Sequence, residues 1–154
     1  MVQNINQFAQ TPEVGDLDLQ TGLNNVLTCA HKKATPASDA DLVAGQTVGL
    51  VDDFSPIPAV RAIAISAVPF GLVVRNLQSV DVEDNKPLEV ARVGSVIQLQ
   101  ASAAIARGAD VQYDPSTHKI ATKASTNGII GQALDKAAND GDIIRVTINP
   151  ASGA

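Results

Sequence analysis

The amino-acid sequence predicts a mainly β protein, either a small β-barrel or a β-sandwich, and three observations lead to this prediction. Short apolar runs recur from about residue 42 onward, each bounded by Gly, Pro, Asn or Asp, the residues that turn a chain. Several of these runs alternate between apolar and polar residues, as half-buried strands do. Helical signals are weak because no amphipathic stretch is long enough to be stable alone. Without crossover helices, a parallel α/β fold is not expected.

The strand candidates of the middle of the chain lie between turns that contain proline or aspartate. Residues 55–58 are expected to lie outside any sheet, because Pro56 and Pro58 cannot donate ladder hydrogen bonds. A turn is also expected at 84–87, and the run that follows it alternates cleanly. The predicted strands here occupy residues 47–51, 60–65, 72–75 and 88–93.

The last third of the chain repeats the same pattern of short runs and turns. Asn127-Gly128 predicts a tight turn because both residues tolerate a positive φ. Asn149-Pro150 is expected to end the final strand. The predicted strands occupy residues 96–100, 111–113, 120–122, 129–134 and 143–148. The glycines between and within the runs are expected to serve backbone conformation rather than the approach of a ligand.

The first forty residues differ from the rest and divide the chain. They are rich in Gln, Asn, Asp and Thr, and their apolar residues are sparse and without a strict period. We predict an extended N-terminal arm or loosely structured segment over residues 1–40, with one or two short strands at most, a β-rich domain over 41–150 and a C-terminal tail over 151–154. The alternative for the arm is a disordered tail. Its apolar residues, the candidate anchors of a contact, include Val2, Ile5, Phe8, Val14 and Leu17.

Composition and charge exclude several classes of partner. The net charge is -5 and Lys and Arg are scattered, so no basic face for nucleic acid is expected. No apolar run reaches the roughly 20 residues of a membrane helix, so no membrane partner is expected. Cys29 is the single cysteine, so an intrachain disulfide cannot form, which fits synthesis in a reducing compartment. Aromatic residues make up only 3%, so the core is thin and further burial in an assembly is plausible.

A search for reaction chemistry finds no recognisable centre in the sequence. Phosphate-binding Gly-rich loops and the Gly-x-Ser-x-Gly motif are absent. Cys29 and His31 would share a strand face, yet a structural zinc site needs four ligands and His118 is the only other histidine. Asp81, Glu83 and Asp84 are more simply the solvated tip of a hairpin than a calcium or acid–base site. We therefore predict no catalytic, cofactor or metal residues, and a protein that is not an enzyme.

The order of motifs in the second half resembles the decoration, or structural cement, proteins of tailed-phage capsids. The resemblance covers about residues 42–148, and each motif alone is a glycine turn with apolar neighbours. The motifs are Phe70-Gly71-Leu72-Val73, Val90-Ala91-Arg92-Val93-Gly94, the run 105–111, the run 129–134 and Gly141-Asp142-Ile143-Ile144-Arg145-Val146.

This resemblance implies a small β domain, of a β-clip-like or β-tulip-like barrel or a sandwich. It implies binding to the outside of a phage head, stabilisation of contacts between major capsid subunits, and a homotrimer or homodimer on the capsid. The arm residues named above would then contact the major capsid protein or a neighbouring subunit. Two alternatives stay open: another β-rich virion component, such as a head fibre base or tail module, and a small β-barrel enzyme or ligand-binding domain.

Overall fold

The structure is a computed structural model that describes residues 11–18, 24–51, 56–76, 78 and 80–153. The described residues form ten strands and contain no helix. The prediction of a mainly β fold is therefore confirmed. Of the two architectures expected from the sequence, the structure contains a barrel, and it adds a second sheet beside it.

The first five strands form a closed barrel in the order β1-β3-β2-β4-β5. The pairing of β1 with β3 is parallel, while the other four pairings of the barrel are antiparallel. Since the ring is closed, none of these strands presents a free ladder edge. The strands are β1 (Val26–His31), β2 (Thr47–Leu50), β3 (Ala59–Ala62), β4 (Gly71–Val73) and β5 (Pro87–Ala91).

The remaining strands form an antiparallel sheet in the order β6-β10-β9-β7-β8. A parallel bridge between Ala101, directly after β6, and Ile120 in β8 links the two outer strands of this sheet. The last strand continues past Asn149, where we predicted its end, with a register shift between Ile148 and Ala151. An irregular ladder of this kind tolerates the missing donor of Pro150. The strands are β6 (Val96–Gln100), β7 (Asp110–Asp114), β8 (Lys119–Thr122), β9 (Ile129–Ala133) and β10 (Ile143–Ala151).

Two apolar cores hold these sheets together, and consecutive residues of the barrel strands supply both. Successive side chains of a strand point to opposite faces. In β4, Val73 therefore packs inside the barrel while Leu72 packs in the core of the second sheet. In β5, Val90 likewise packs inside the barrel and Ala91 packs in the core of the second sheet. The two sheets thus share a wall, and we infer that they unfold together.

The turn predicted at Asn127-Gly128 is wrong in its position. The turn residues are Ser125 and Thr126, with Ser125 at φ 48, and neither Asn127 nor Gly128 has a positive φ. Gly128 is needed for a different reason, because a Cβ there would collide with the carbonyl oxygen of Ala67. It lets the loop before β4 approach the second sheet closely.

The segment before the barrel is partly built into the fold. Residues 15–18 run along β6, with Gly15 and Asp18 donating backbone hydrogen bonds to Gln98 and Val96 and with a bridge between Leu17 and Ile97. Strand β1 also lies on the N-terminal side of residue 40 and pairs with two barrel strands. The division of the chain at residues 40 and 150 stays a prediction, and the barrel draws on residues from both sides of the first boundary.

Candidate interaction surface

Cys29 and His31 lie on the inward face of β1, as the i, i+2 spacing predicts, and both are buried in the barrel. The Nδ1 atom of His31 is 2.8 Å from the carbonyl oxygen of Val82, so it donates a hydrogen bond to the backbone. Burial, with a smaller contribution from Glu89, raises the pKa of the Cys29 thiol. A buried protonated thiol is a poor nucleophile. The arrangement is that of a packed interior pair.

The third candidate for chemistry, His118, lies in the β7–β8 loop of the other sheet. Its Nδ1 atom is 3.0 Å from the hydroxyl of Tyr113, and its backbone is in the left-handed region at φ 56. Desolvation raises the pKa of Tyr113, so its hydroxyl keeps its proton and donates to the ring nitrogen. The pair therefore fixes the conformation of a loop.

The carboxylates at 81–84 serve the same kind of local structure. Asp84 accepts a hydrogen bond of 2.8 Å from the backbone N–H of Lys33 and lies in a turn where Asn85 has φ 59. Across the described ranges, no group of three His, Cys, Asp or Glu residues is arranged to hold a metal ion. Asp81 and Glu83 are exposed, while Val82 between them is buried and forms a backbone bridge with Leu42.

Two of the predicted arm anchors fall in the described part of the chain. Val14 and Leu17 are half-buried and pack against the core of the second sheet of their own chain. Val2, Ile5 and Phe8 lie outside the described residues. The interface role of all five stays a prediction.

Two arginines anchor the segment that carries Val14 and Leu17. The Arg75 Nε atom donates a 2.6 Å hydrogen bond to Asp16, and this carboxylate raises the pKa of Arg75. Arg145 contacts Asp18 at 3.2 Å and Asp135 at 2.8 Å. Its guanidinium lowers the pKa of Asp135. Residues 13–18 are thereby fixed to the body of the domain, and residues that precede them leave from a defined point.

A cleft of about 370 Å³ lies beside this segment, between the barrel and the second sheet. Its wall combines Val14, Val80 and Ile143 with Arg75 and Asp81. Arg75 is paired with Asp16 and also lies 3.4 Å from Glu13. The charge of Arg75 in this wall is therefore already paired within the chain.

Five of the seven large apolar side chains that are exposed in the described residues gather at one end of the barrel. The ladders place the starts of β1, β3 and β4 and the ends of β2 and β5 at this end. We call this surface the barrel-end patch. Its exposed members are Val26, Leu27, Leu50, Val68 and Val93, between 36% and 58% exposed.

Arg92 and Phe70 lie beside Val93 in the barrel-end patch. The antiparallel register of β4 and β5, continued by two residues, places Phe70 opposite Val93. The guanidinium carbon of Arg92 lies 3.7 Å from the centroid of the Phe70 ring, a cation–π contact. The Nε atom of Arg92 is buried and has no hydrogen-bond partner. The sequence search missed this surface, because no single residue in it is unusual and only the strand register brings the members together.

Comparison with known proteins identifies a family and a similar fold. A family model described as phage cement protein matches residues 28–148, which include most of β1 and run through the sixth residue of β10. No curated protein matches the chain. Among solved structures, the chain is similar to the head fibre gp8.5 N base of bacteriophage phi29, with a TM-score of 0.54 and 15% sequence identity. The similarity covers 82% of this chain and 95% of that chain, and at this identity it shows a shared fold.

The all-β fold and the family match define a structural protein of the phage virion. The chain belongs to the phage cement protein family. The resemblance noted in the sequence is therefore confirmed, and it begins earlier than residue 42, since the match starts inside β1.

Proposed function

We propose that this protein binds the outer surface of a phage head and stabilises contacts between neighbouring major capsid subunits. The observation that carries the proposal is the family match over residues 28–148. A cement function needs contact area rather than reactive groups, and the chemistry candidates Cys29, His31 and His118 are all engaged in internal packing or loop contacts. These internal contacts support the proposal that the protein is not an enzyme.

The N-terminal segment is the proposed arm of this contact. Residues 13–18 are fixed to the domain by Arg75 and Arg145, so residues 1–10 would start from a rigid base. Ten residues span at most about 33–36 Å when extended. That length is enough to reach a neighbouring subunit. There Val2, Ile5 and Phe8 would anchor the arm by packing against that subunit's surface.

The binding experiment uses expanded, undecorated shells and the complete chain. We expect saturable co-sedimentation at a copy number compatible with the shell's symmetry, as a homotrimer or homodimer at each site. Removal of residues 2–10 should lower occupancy while leaving the melting temperature unchanged, since the segment fixed to β6 begins later. Full occupancy by the truncated chain would refute the arm, and absence of binding by the complete chain would refute the function.

A head fibre base is the second candidate, and the shared fold with the phi29 head fibre base favours it. The two functions differ in what the bound protein does. A cement protein should raise the temperature or the force at which a shell ruptures, because it bridges subunits. A fibre base should bind without changing shell stability. Rupture of decorated and bare shells, measured on the same preparation, separates the two functions.

A further inference from the structure

We propose that the barrel-end patch is the surface that docks on the phage shell, and that its occupant is an apolar protein segment presenting a carboxylate to Arg92. This inference rests on the proposed capsid-binding function and names the contact that would carry it. The patch consists of Val26, Leu27, Leu50, Val68 and Val93 around the stacked pair Arg92 and Phe70.

The first argument is the concentration of exposed apolar side chains. Scattered single apolar residues are ordinary on a protein surface, whereas a contiguous group marks an interaction site. The barrel closes on itself, so this end cannot extend into a neighbour by strand pairing, and contact must be made by side chains. The other two exposed large apolar side chains, Val80 and Ile143, line the cleft instead.

The second argument is the unsatisfied donor of Arg92. A buried donor without an acceptor is destabilising, and such groups are rare in folded proteins. No carboxylate or carbonyl of the described residues accepts a hydrogen bond from the Arg92 guanidinium, although Arg145 and Arg75 both have carboxylate partners. The positive charge of Arg92 therefore has no ion-pair partner among the described residues and can pair with a carboxylate on a bound protein, while the Nε atom itself is buried and out of a partner's reach.

The third argument concerns the chemistry of that partner. Arg and aromatic side chains are both enriched at protein–protein interfaces, and Arg92 and Phe70 supply one of each here. A carboxylate matches the planar donor fork of a guanidinium better than a single carbonyl does. Nucleic acid is a poor fit, because a chain of net charge -5 with one arginine at this surface cannot neutralise a row of phosphates. The occupant is therefore a shell protein segment that carries Asp or Glu between apolar residues.

The test compares patch and control variants of the complete chain on expanded, undecorated shells. Arg92→Gln removes the charge and keeps a polar, though shorter, side chain, and the double variant Val26→Ser with Val93→Ser removes apolar contact. We expect each to weaken binding about tenfold or more, the usual effect of a hot-spot change. The controls are Arg107→Gln, an exposed arginine of the turn before β7, and Val80→Ser, an exposed valine of the cleft. The affinity of both control variants for the shell should stay within about twofold of that of the unmodified chain.

The possible results separate the docking surface from the function. If the unmodified chain binds and the patch variants bind equally well, the docking surface is refuted while the proposed function stands. If the unmodified chain does not bind, both are refuted. If Arg92→Gln instead converts a free oligomer into a smaller species without changing shell binding, the occupant is a second copy and the proposal is wrong. Melting curves check that each variant folds. If Arg92→Gln unfolds, Arg92→Lys, which keeps a positive charge over the Phe70 ring, replaces it in the binding experiment.

Discussion

Leu72→Ala tests whether the barrel and the second sheet are one cooperative unit. Leu72 belongs to barrel strand β4, yet its fully buried side chain packs in the core of the second sheet. Truncation of a buried leucine removes transfer free energy and leaves a cavity, at a cost of about 2–5 kcal/mol. For a domain of this size, each kcal/mol lowers the melting temperature by about 2–4 °C, so a mid-range cost of about 3.5 kcal/mol should lower it by roughly 7–14 °C.

The chain provides one probe in each half for this experiment. Cys29 is the single cysteine and is buried in the barrel, so its reaction with a thiol reagent reports barrel opening. Tyr113 is the single tyrosine, the chain has no tryptophan, and Tyr113 lies in the core of the second sheet, so its fluorescence reports that sheet. In denaturant titrations at equilibrium, both probes should give the same midpoint, and Leu72→Ala should lower both midpoints equally.

The matched controls are Val73→Ala and Leu50→Ala. Val73 is the next residue and faces the barrel core, so its truncation should also move both probes together. Leu50 is 58% exposed, and its truncation should change stability by less than about 0.5 kcal/mol. A Leu72→Ala variant in which the Tyr113 transition shifts and the Cys29 transition does not would show two independent units and refute the shared wall.

Two further predictions concern charge and close packing. Arg145 lowers the folded-state pKa of Asp135 below its unfolded value, so the stability from this pair is present above about pH 4 and is lost as the pH falls through the folded pKa. Acid titration of the melting temperature should therefore be shallower in Asp135→Asn than in the unmodified chain, and an identical acid profile would contradict the pairing. Gly131→Ala would drive a Cβ into the backbone carbonyl of Thr147 in β10, whereas Gly94→Ala meets open space and only the strain of φ 90. We expect chemical denaturation to show a loss in the free energy of unfolding of about 3 kcal/mol or more for Gly131→Ala and of about 1 kcal/mol for Gly94→Ala. Equal losses for the two variants would show that β9 and β10 are not packed this closely.

The sequence predicted the strands well where the information is local. The run after the turn at 84–87 alternates cleanly, and the predicted strands 88–93 and 96–100 fall on β5 and β6 with small differences at the ends. Strand β1 was less visible, because Val26 to Thr28 are exposed and its partner β3 pairs in parallel from a distant part of the chain. A long-range parallel pairing leaves no spacing pattern in the sequence.

The candidate surface could be predicted only in part. The sequence shows none of the reaction-centre motifs sought and directed attention to the apolar residues of the arm, of which Val14 and Leu17 pack on their own domain. The barrel-end patch depends on ladder register, which sets Phe70 beside Arg92 across two strands. Register is fixed by tertiary pairing, so neither residue stands out before the fold is known.

The most direct test of the central claim is the copy number of this protein on expanded, undecorated phage shells at saturation, with shell rupture measured on the same sample. The account predicts saturation at a number set by the symmetry of the shell and a higher rupture temperature for decorated shells. Non-saturable association, or saturation without any change in rupture, would contradict a cement function.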